Sequence, residues 1–171
     1  KIWSAASSTG QESYSILMAI DSAFPPAFFN RVEVDATDIS TTALEKGRKG
    51  IYNGLDVQRG LPVSLLMKYF EQLPQSNNDW KISIKLTSKI KFSEFNLLTG
   101  TYQKAKYHII FLRNVLIYQD KDNKNKILKN IYDAIKPGGY MFLGNGESLI
   151  GMDTQFVREI VDGMTLYRKP V

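Results

Sequence analysis

Short apolar runs and longer stretches with apolar residues at every third or fourth position take turns along this chain. That order predicts β-α-β units and a mostly parallel sheet. Ile2 to Ala6 reads as a strand, Ser7-Ser8-Thr9-Gly10 as a turn, and Glu12 to Ala23 as a helix offering Tyr14, Ile16, Leu17 and Ile20 for burial. Pro25-Pro26 breaks that helix. A second strand is predicted from Arg31 to Ala36, and Ser40 as the N-cap of a helix from Thr41 to Lys49 that ends at Gly50. Further on, Gly54 to Gly60 resembles a loop, Pro62 to Phe70 a helix, and Gln75-Ser76-Asn77-Asn78-Asp79 a polar turn.

From Trp80 to Leu86 apolar and polar residues alternate strictly, and Ile90-Lys91-Phe92 resumes the pattern, which predicts a small antiparallel insert at about 79–95 with one wet face. The last third returns to α/β order. A strand is expected at Tyr107 to Leu112, a helix from about Asn123 to Ile135, a turn at Pro137-Gly138-Gly139, a strand at Tyr140 to Leu143 and an edge strand at Met164 to Tyr167. The fold expected is α/β, a doubly wound, mostly parallel sheet with a small antiparallel β insert.

Length and composition narrow the classes. With 171 residues, 43% of them hydrophobic and 23% charged, the chain suits one globular domain over 1–171 rather than a disordered polymer. No apolar run approaches the ~20 residues needed to span a bilayer. A soluble protein with no membrane insertion is expected. The absence of cysteine removes disulfides and thiol chemistry, and a single histidine, His108, excludes a histidine-rich metal site. No metal is expected, a cytoplasmic setting is natural, and His108 reads as a packed core residue without a catalytic role. The formal charge of +5 is spread along the sequence. With no interleaved basic and aromatic patch, nucleic acid is not the expected partner.

Chemistry concentrates at strand ends. Arg113-Asn114-Val115-Leu116-Ile117-Tyr118 follows the apolar run Ile109–Leu112, so polar groups and a phenol stand at a carboxyl end, where open α/β sheets bind ligands. Between the first strand and helix, Gly10 lets backbone approach a ligand closely, and Asp38 follows the second strand, where an acid commonly binds ribose hydroxyls. The full three-glycine dinucleotide fingerprint is absent, and Glu12 in the first helical turn would repel a pyrophosphate. An acid there suits a cofactor carrying an ammonium and a sulfonium, as S-adenosylmethionine does, although Glu12 also pairs favourably with the helix dipole. This pattern leans toward methyl transfer.

The segments Ile2–Ser15, Ala36–Ser40, Gly50-Ile51-Tyr52, Phe95-Asn96-Leu97-Leu98, Arg113–Tyr118 and Gly139–Gly144 together closely resemble the chemotaxis receptor methyltransferases, the CheR family, from Lys1 to about Lys169. The resemblance implies methyl transfer from S-adenosylmethionine to glutamate side chains on the cytoplasmic helices of chemoreceptors, with S-adenosylhomocysteine as product. It implies that Glu12 and Asp38 hold the amino-acid and ribose parts of the cofactor. Asn96 and Leu97 would border its adenine end, and Arg113 and Asn114 would line its reactive side. Tyr118 would orient the incoming carboxylate, with Arg113 as the other catalytic candidate.

Plainer roles stand beside these: Arg113 as an ion-pair partner, Tyr118 as a packed strand-end aromatic, Asn96 as a turn residue. The insert matches the β subdomain with which CheR relatives contact receptors, some by adding a receptor's carboxyl-terminal peptide as a strand. Its lysines 81, 85, 89 and 91 would meet an acidic partner or blunt the edge.

The chain departs from the family pattern at Gln11-Glu12-Ser13 for Glu-Glu-Pro, Leu112 for cysteine, Gln119 for phenylalanine and Asn145-Gly146-Glu147 for His-Ser-Glu, none of which removes an expected cofactor contact. The family's amino-terminal helical domain is missing, so a fragment with weak or absent turnover of its own is expected, acting as a monomer. Two further readings are a non-catalytic S-adenosylmethionine-binding adaptor and a nucleic-acid or small-molecule methyltransferase on the same fold.

Overall fold

The computed structural model describes residues 1–76 and 78–171. It forms two compact units, one made of 1–6 with 95–171 and the other of 7–94. In the first, β1 (Ile2–Ala5), β7 (Tyr107–Leu112) and β8 (Ile135–Leu143) run parallel, and β10 (Met164–Arg168) and β9 (Val157–Val161) extend the sheet antiparallel. Helix α7 (Lys121–Ala134) is capped by the Asp120 carboxylate, which accepts from Asn123 N–H at 2.8 Å. Its buried stripe of Ile127, Leu128, Ile131 and Ala134 shares a core with Trp3, Ala5, Ile110, Leu112 and Met141. Burying such a face, at about 1.5–3 kcal/mol per large aliphatic side chain, holds a helix whose own sequence is mostly polar.

In the second unit, β2 (Val34–Asp38) pairs in parallel with β6 (Ile90–Glu94). The unit also holds α1 (Gln11–Ala23), α2 (Pro26–Phe29), α3 (Thr41–Lys49), α4 (Gly54–Gln58), α5 (Val63–Tyr69) and α6 (Ile84–Thr87). A separate antiparallel sheet runs β3-β5-β4, from Ile51–Asn53, Asp79–Ile82 and Phe70–Gln72. Ser40 Oγ caps α3 by accepting from Ala43 N–H, and Gly50, at φ 60, ends it as expected.

Several expectations are corrected. The antiparallel sheet draws on 51–82 rather than 79–95, because Ser83 accepts from Lys85 N–H and turns the chain into α6. The alternation through Leu86 crossed a cap: Leu86 is fully buried while Ile84 is exposed, as a helix allows. Ile90–Phe92 therefore belongs to the parallel pair. Gly54–Gln58 is helix, not loop, since the Asn53 side chain accepts from Asp56 N–H. Of the expected polar turn, Asn77 lies outside the described residues.

Strand β2 starts at Val34, three residues late, because Asn30–Val32 continue the turns that follow α2. In α1 Met18, not Ile16 or Ile20, joins Tyr14 and Leu17 in burial. Pro137-Gly138-Gly139 is a bulge inside β8, between Ile135 opposite Tyr107 and Tyr140 opposite Ile109, with Gly138 at φ 76. Strand β10 is not the edge: β9 pairs outside it through the turn Asp162-Gly163, both at positive φ. His108 is exposed, not core, because it alternates with buried Tyr107; partial desolvation of its ring and the Lys136 charge beside it hold its pKa below the ordinary imidazole value.

Candidate active site

In the unit of 7–94 the loop between β1 and α1 is tightly specified. Ser8 and Gly10 both take positive φ. Ser8 N–H donates to Asp38 Oδ2 at 2.8 Å, and Ser40 N–H donates to Asp38 Oδ1 at 2.9 Å, so one carboxylate joins two loops. Tyr52 O–H donates to the Thr9 carbonyl at 2.7 Å. Burial first, then Tyr14 and Asp56, push that phenol far above its ordinary range, so it stays a donor.

Gly10 was expected to let backbone approach a ligand. What it approaches here is protein: a Cβ on it would sit 2.8 Å from the Phe92 ring and 3.3 Å from Gly47 Cα. Glu12 stands half-buried in the first turn of α1. Asp38 is also half-buried, and an ionised carboxylate offers about four acceptor sites, of which these two N–H groups take two. Two remain, the number a ribose diol requires.

In the unit of 1–6 and 95–171, Asn96 Oδ1 accepts from Leu98 N–H at 2.8 Å and Thr99 N–H at 3.3 Å. Its plainer reading as a turn residue is thus met, through the amide oxygen. Leu97 packs against the core, and its carbonyl accepts from Tyr102 O–H. Beyond β7, Arg113 and Asn114 are exposed, and Asn114 takes the left-handed conformation at φ 57. A 3-10 turn, Leu116–Tyr118, follows and leaves Tyr118 78% exposed, so it is not a packed aromatic.

Glu147, noted in the sequence only as the end of Asn145-Gly146-Glu147, has no role assigned there. Its carboxylate accepts from the N–H groups of Asn114, Val115, Leu116, Ile117 and Gly144 at 2.6–3.3 Å. A local signal for it is Gly144-x-x-Glu147, in which Glu147 N–H also donates to the Gly144 carbonyl, a reciprocal pattern like a capping box. Arg113 and Glu147 also line a groove of about 620 Å³ with Phe111, Phe142, Arg158 and Thr165.

Residues 1–162 match the family model described as CheR methyltransferase, SAM binding domain. The chain belongs to the CheR family. Among CheR relatives, it is 39% identical over 160 residues to chemotaxis protein methyltransferase Cher2 of Pseudomonas putida, covering 91% of this chain and 57% of that protein. The chemotaxis protein methyltransferase of Escherichia coli is 32% identical over 168 residues, covering 98% and 57%. This CheR chain thus spans less than two thirds of the length of either.

Two solved structures share the fold: Haemonchus contortus phosphoethanolamine N-methyltransferase 1 with S-adenosylhomocysteine (TM-score 0.51, 10% identity, 83% of this chain and 21% of that one) and the DszA carbon methyltransferase (0.51, 16%, 83% and 27%). The class I methyltransferase fold is therefore the fold of this CheR domain, and S-adenosylmethionine is the cofactor its family model names. Among the described residues no cluster of three or more His, Asp or Glu could hold a metal ion, and no helix is long and apolar enough to cross a membrane.

Proposed function

We propose that the protein carrying this chain methylates glutamate side chains on the cytoplasmic helices of chemoreceptors, giving glutamate methyl esters and S-adenosylhomocysteine. The family match over residues 1–162 carries this reading, and the printed names of the relatives, chemotaxis protein methyltransferases, support it. The spare acceptor capacity of Asp38 supports the cofactor's place.

In this reading Asp38 accepts from the ribose hydroxyls, Glu12 balances the cofactor's ammonium, Asn96 and Leu97 border its adenine, and Arg113 and Asn114 line its reactive side. S-adenosylmethionine, when bound, supplies an electrophilic methyl carbon on a sulfonium. A glutamate with a pKa near ~4.3 is already an anion at neutral pH, so the chain needs no strong base. Its task is alignment. Arg113 attracts the acceptor carboxylate, and the Tyr118 hydroxyl donates to it and fixes the oxygen that attacks. A chain with one histidine, exposed at that, is adequate for such chemistry.

The setting is the cytoplasm, the protein acts as a monomer, and the short edges β3 and β4 of the antiparallel sheet are the places for a receptor peptide to add as a strand. Lys85 and Lys89 are not the groups that meet it, being bonded to Asp21 and to the Asn30 carbonyl. Calorimetric titration with S-adenosylmethionine and S-adenosylhomocysteine tests the reading. Micromolar binding to the wild-type chain that disappears in Asp38→Ala supports it; no binding to the wild type overturns the cofactor assignment. Transfer of labelled methyl to receptor glutamates by the complete protein, lost in Tyr118→Phe, tests the acceptor and separates an enzyme from a binding adaptor.

A further inference from the structure

Successive backbone N–H groups that converge on one point make an anion-binding concavity. Such a concavity exists beyond β7, and the chain fills it with its own carboxylate. Glu147 Oε2 accepts from Asn114 at 2.6 Å and Gly144 at 2.8 Å, and Oε1 accepts from Leu116 at 2.8 Å, Val115 at 3.0 Å and Ile117 at 3.3 Å. The left-handed Asn114 turns the chain so that these groups face inward. Gly144 leaves no room for a larger residue, because a Cβ there would lie 2.9 Å from both Glu147 Oε2 and Asn114 Nδ2.

We propose that Glu147 is a positioning residue of the methyl-transfer site. Its charge holds the segment Arg113–Tyr118 in the conformation that presents Arg113, Asn114 and Tyr118 to cofactor and acceptor. The proposal rests on the function proposed above. It adds a specificity consequence: the N–H groups of 114–117 are already taken, so the anionic acceptor must be recognised by the Arg113 and Tyr118 side chains and not by backbone.

Charge matters here more than shape. With five donors on about four lone-pair sites, the carboxylate is saturated, and a glutamine would turn one NH₂ donor against N–H groups that need an acceptor. Removing the whole group would open a pocket that a small carboxylate can re-enter.

Hydrogen exchange of the 171-residue chain, read by mass spectrometry beside S-adenosylhomocysteine calorimetry on the same samples, tests this. In Glu147→Gln the amides of 114–117 should exchange at least about tenfold faster while those of β1, β7 and α7 keep wild-type rates, and cofactor-product affinity should fall about tenfold. In Glu147→Ala, added acetate should restore both, and acetamide should restore neither. Wild-type exchange at 114–117 in Glu147→Gln overturns the proposal, as does equal rescue by acetamide. Loss of protection throughout the unit also overturns it, since Glu147 would then support the fold and not the segment. A wild-type chain that fails to bind S-adenosylhomocysteine instead sinks the functional reading, while exchange still decides whether Glu147 orders the segment.

Discussion

Asp38 accepts one backbone N–H on each oxygen, whereas Glu147 collects five. Both are half-buried acids that tie loops together at the ends of parallel strands. The difference lies in what is left over. An ionised carboxylate has about four acceptor sites, so Asp38 keeps two for a ligand and Glu147 keeps none. One acid can therefore both shape its loop and bind. The other can only shape, and contributes to a site through the residues it holds.

The largest effect expected from breaking this contrast is at Asp38. Alanine there would remove the two proposed ligand hydrogen bonds to a charged acceptor, each worth about 1.5–3 kcal/mol, so S-adenosylhomocysteine affinity should fall by roughly 10²–10⁴-fold in calorimetry. Asparagine keeps one acceptor oxygen and should lose about tenfold. Equal loss in both variants would mean that Asp38 works through the loop alone, as Glu147 does.

Next comes the loop itself, where Gly10 sits at φ 86 and the Phe92 ring fills the space a Cβ would need. Gly10→Ala combines a disfavoured backbone with an overlap on the aromatic ring, and should lower stability by about 2–3 kcal/mol in urea denaturation. A truncating second change, Phe92→Ala, should relieve only the steric part. Full recovery in the double variant would show that left-handed strain at Gly10 costs nothing.

The sequence made the α/β order, the strand Tyr107–Leu112, the cap at Ser40 and the stop at Gly50 legible, because each rests on a local rule: a run of apolar residues, a hydroxyl before a helix, a glycine able to take φ 60. It obscured what depends on partners distant in the chain. Ser83 hides a helix inside an alternating pattern, and Pro137-Gly138-Gly139 reads as a turn although pairing with β7 on either side and the Lys169 backbone hold it inside a strand. The hairpin at Asp162-Gly163 was available from a strong turn signal and was missed because its strands are largely exposed. Of the candidate site, Glu12, Asp38, Asn96, Leu97, Arg113, Asn114 and Tyr118 are proposed from the pattern and the resemblance. Glu147 is in the sequence without a role, since its five donors become neighbours only once β7 and β8 pair.

A third acid sharpens the comparison through side chains in place of backbone. Asp21, its side chain 6% exposed, accepts from Tyr69 O–H and Lys85 Nζ, each at 2.6 Å, and pairs with Lys68 at 3.4 Å. Burial by itself would raise its pKa, but the Lys85 and Tyr69 bonds, the Lys85 charge and the Lys68 bond together carry it below the ordinary value. A carboxyl depressed on folding stabilises above the unfolded pKa of about 4 and loses that contribution as pH falls through the folded value. Asp21→Asn should therefore cost about 1–2 kcal/mol at pH 7, modest because both lysines are half exposed, and progressively less below about pH 4. A cost independent of pH would assign the effect to the Tyr69 bond alone.

The smallest effect on stability belongs to Tyr118, and it separates holding a segment from using it. The residue is 78% exposed, and Glu147 bonds its segment through the backbone of 114–117 rather than through the phenol. Tyr118→Phe should change unfolding free energy by less than about 0.5 kcal/mol, as exposed substitutions do. Exchange at 114–117 should likewise stay at wild-type rates. If the hydroxyl orients the acceptor carboxylate, the same variant in the complete protein should lower methyl transfer by at least about tenfold while leaving S-adenosylhomocysteine binding unchanged. Loss of cofactor-product binding together with turnover would instead place the phenol on the cofactor, and the division between an acid that shapes and a side chain that acts would have to be redrawn.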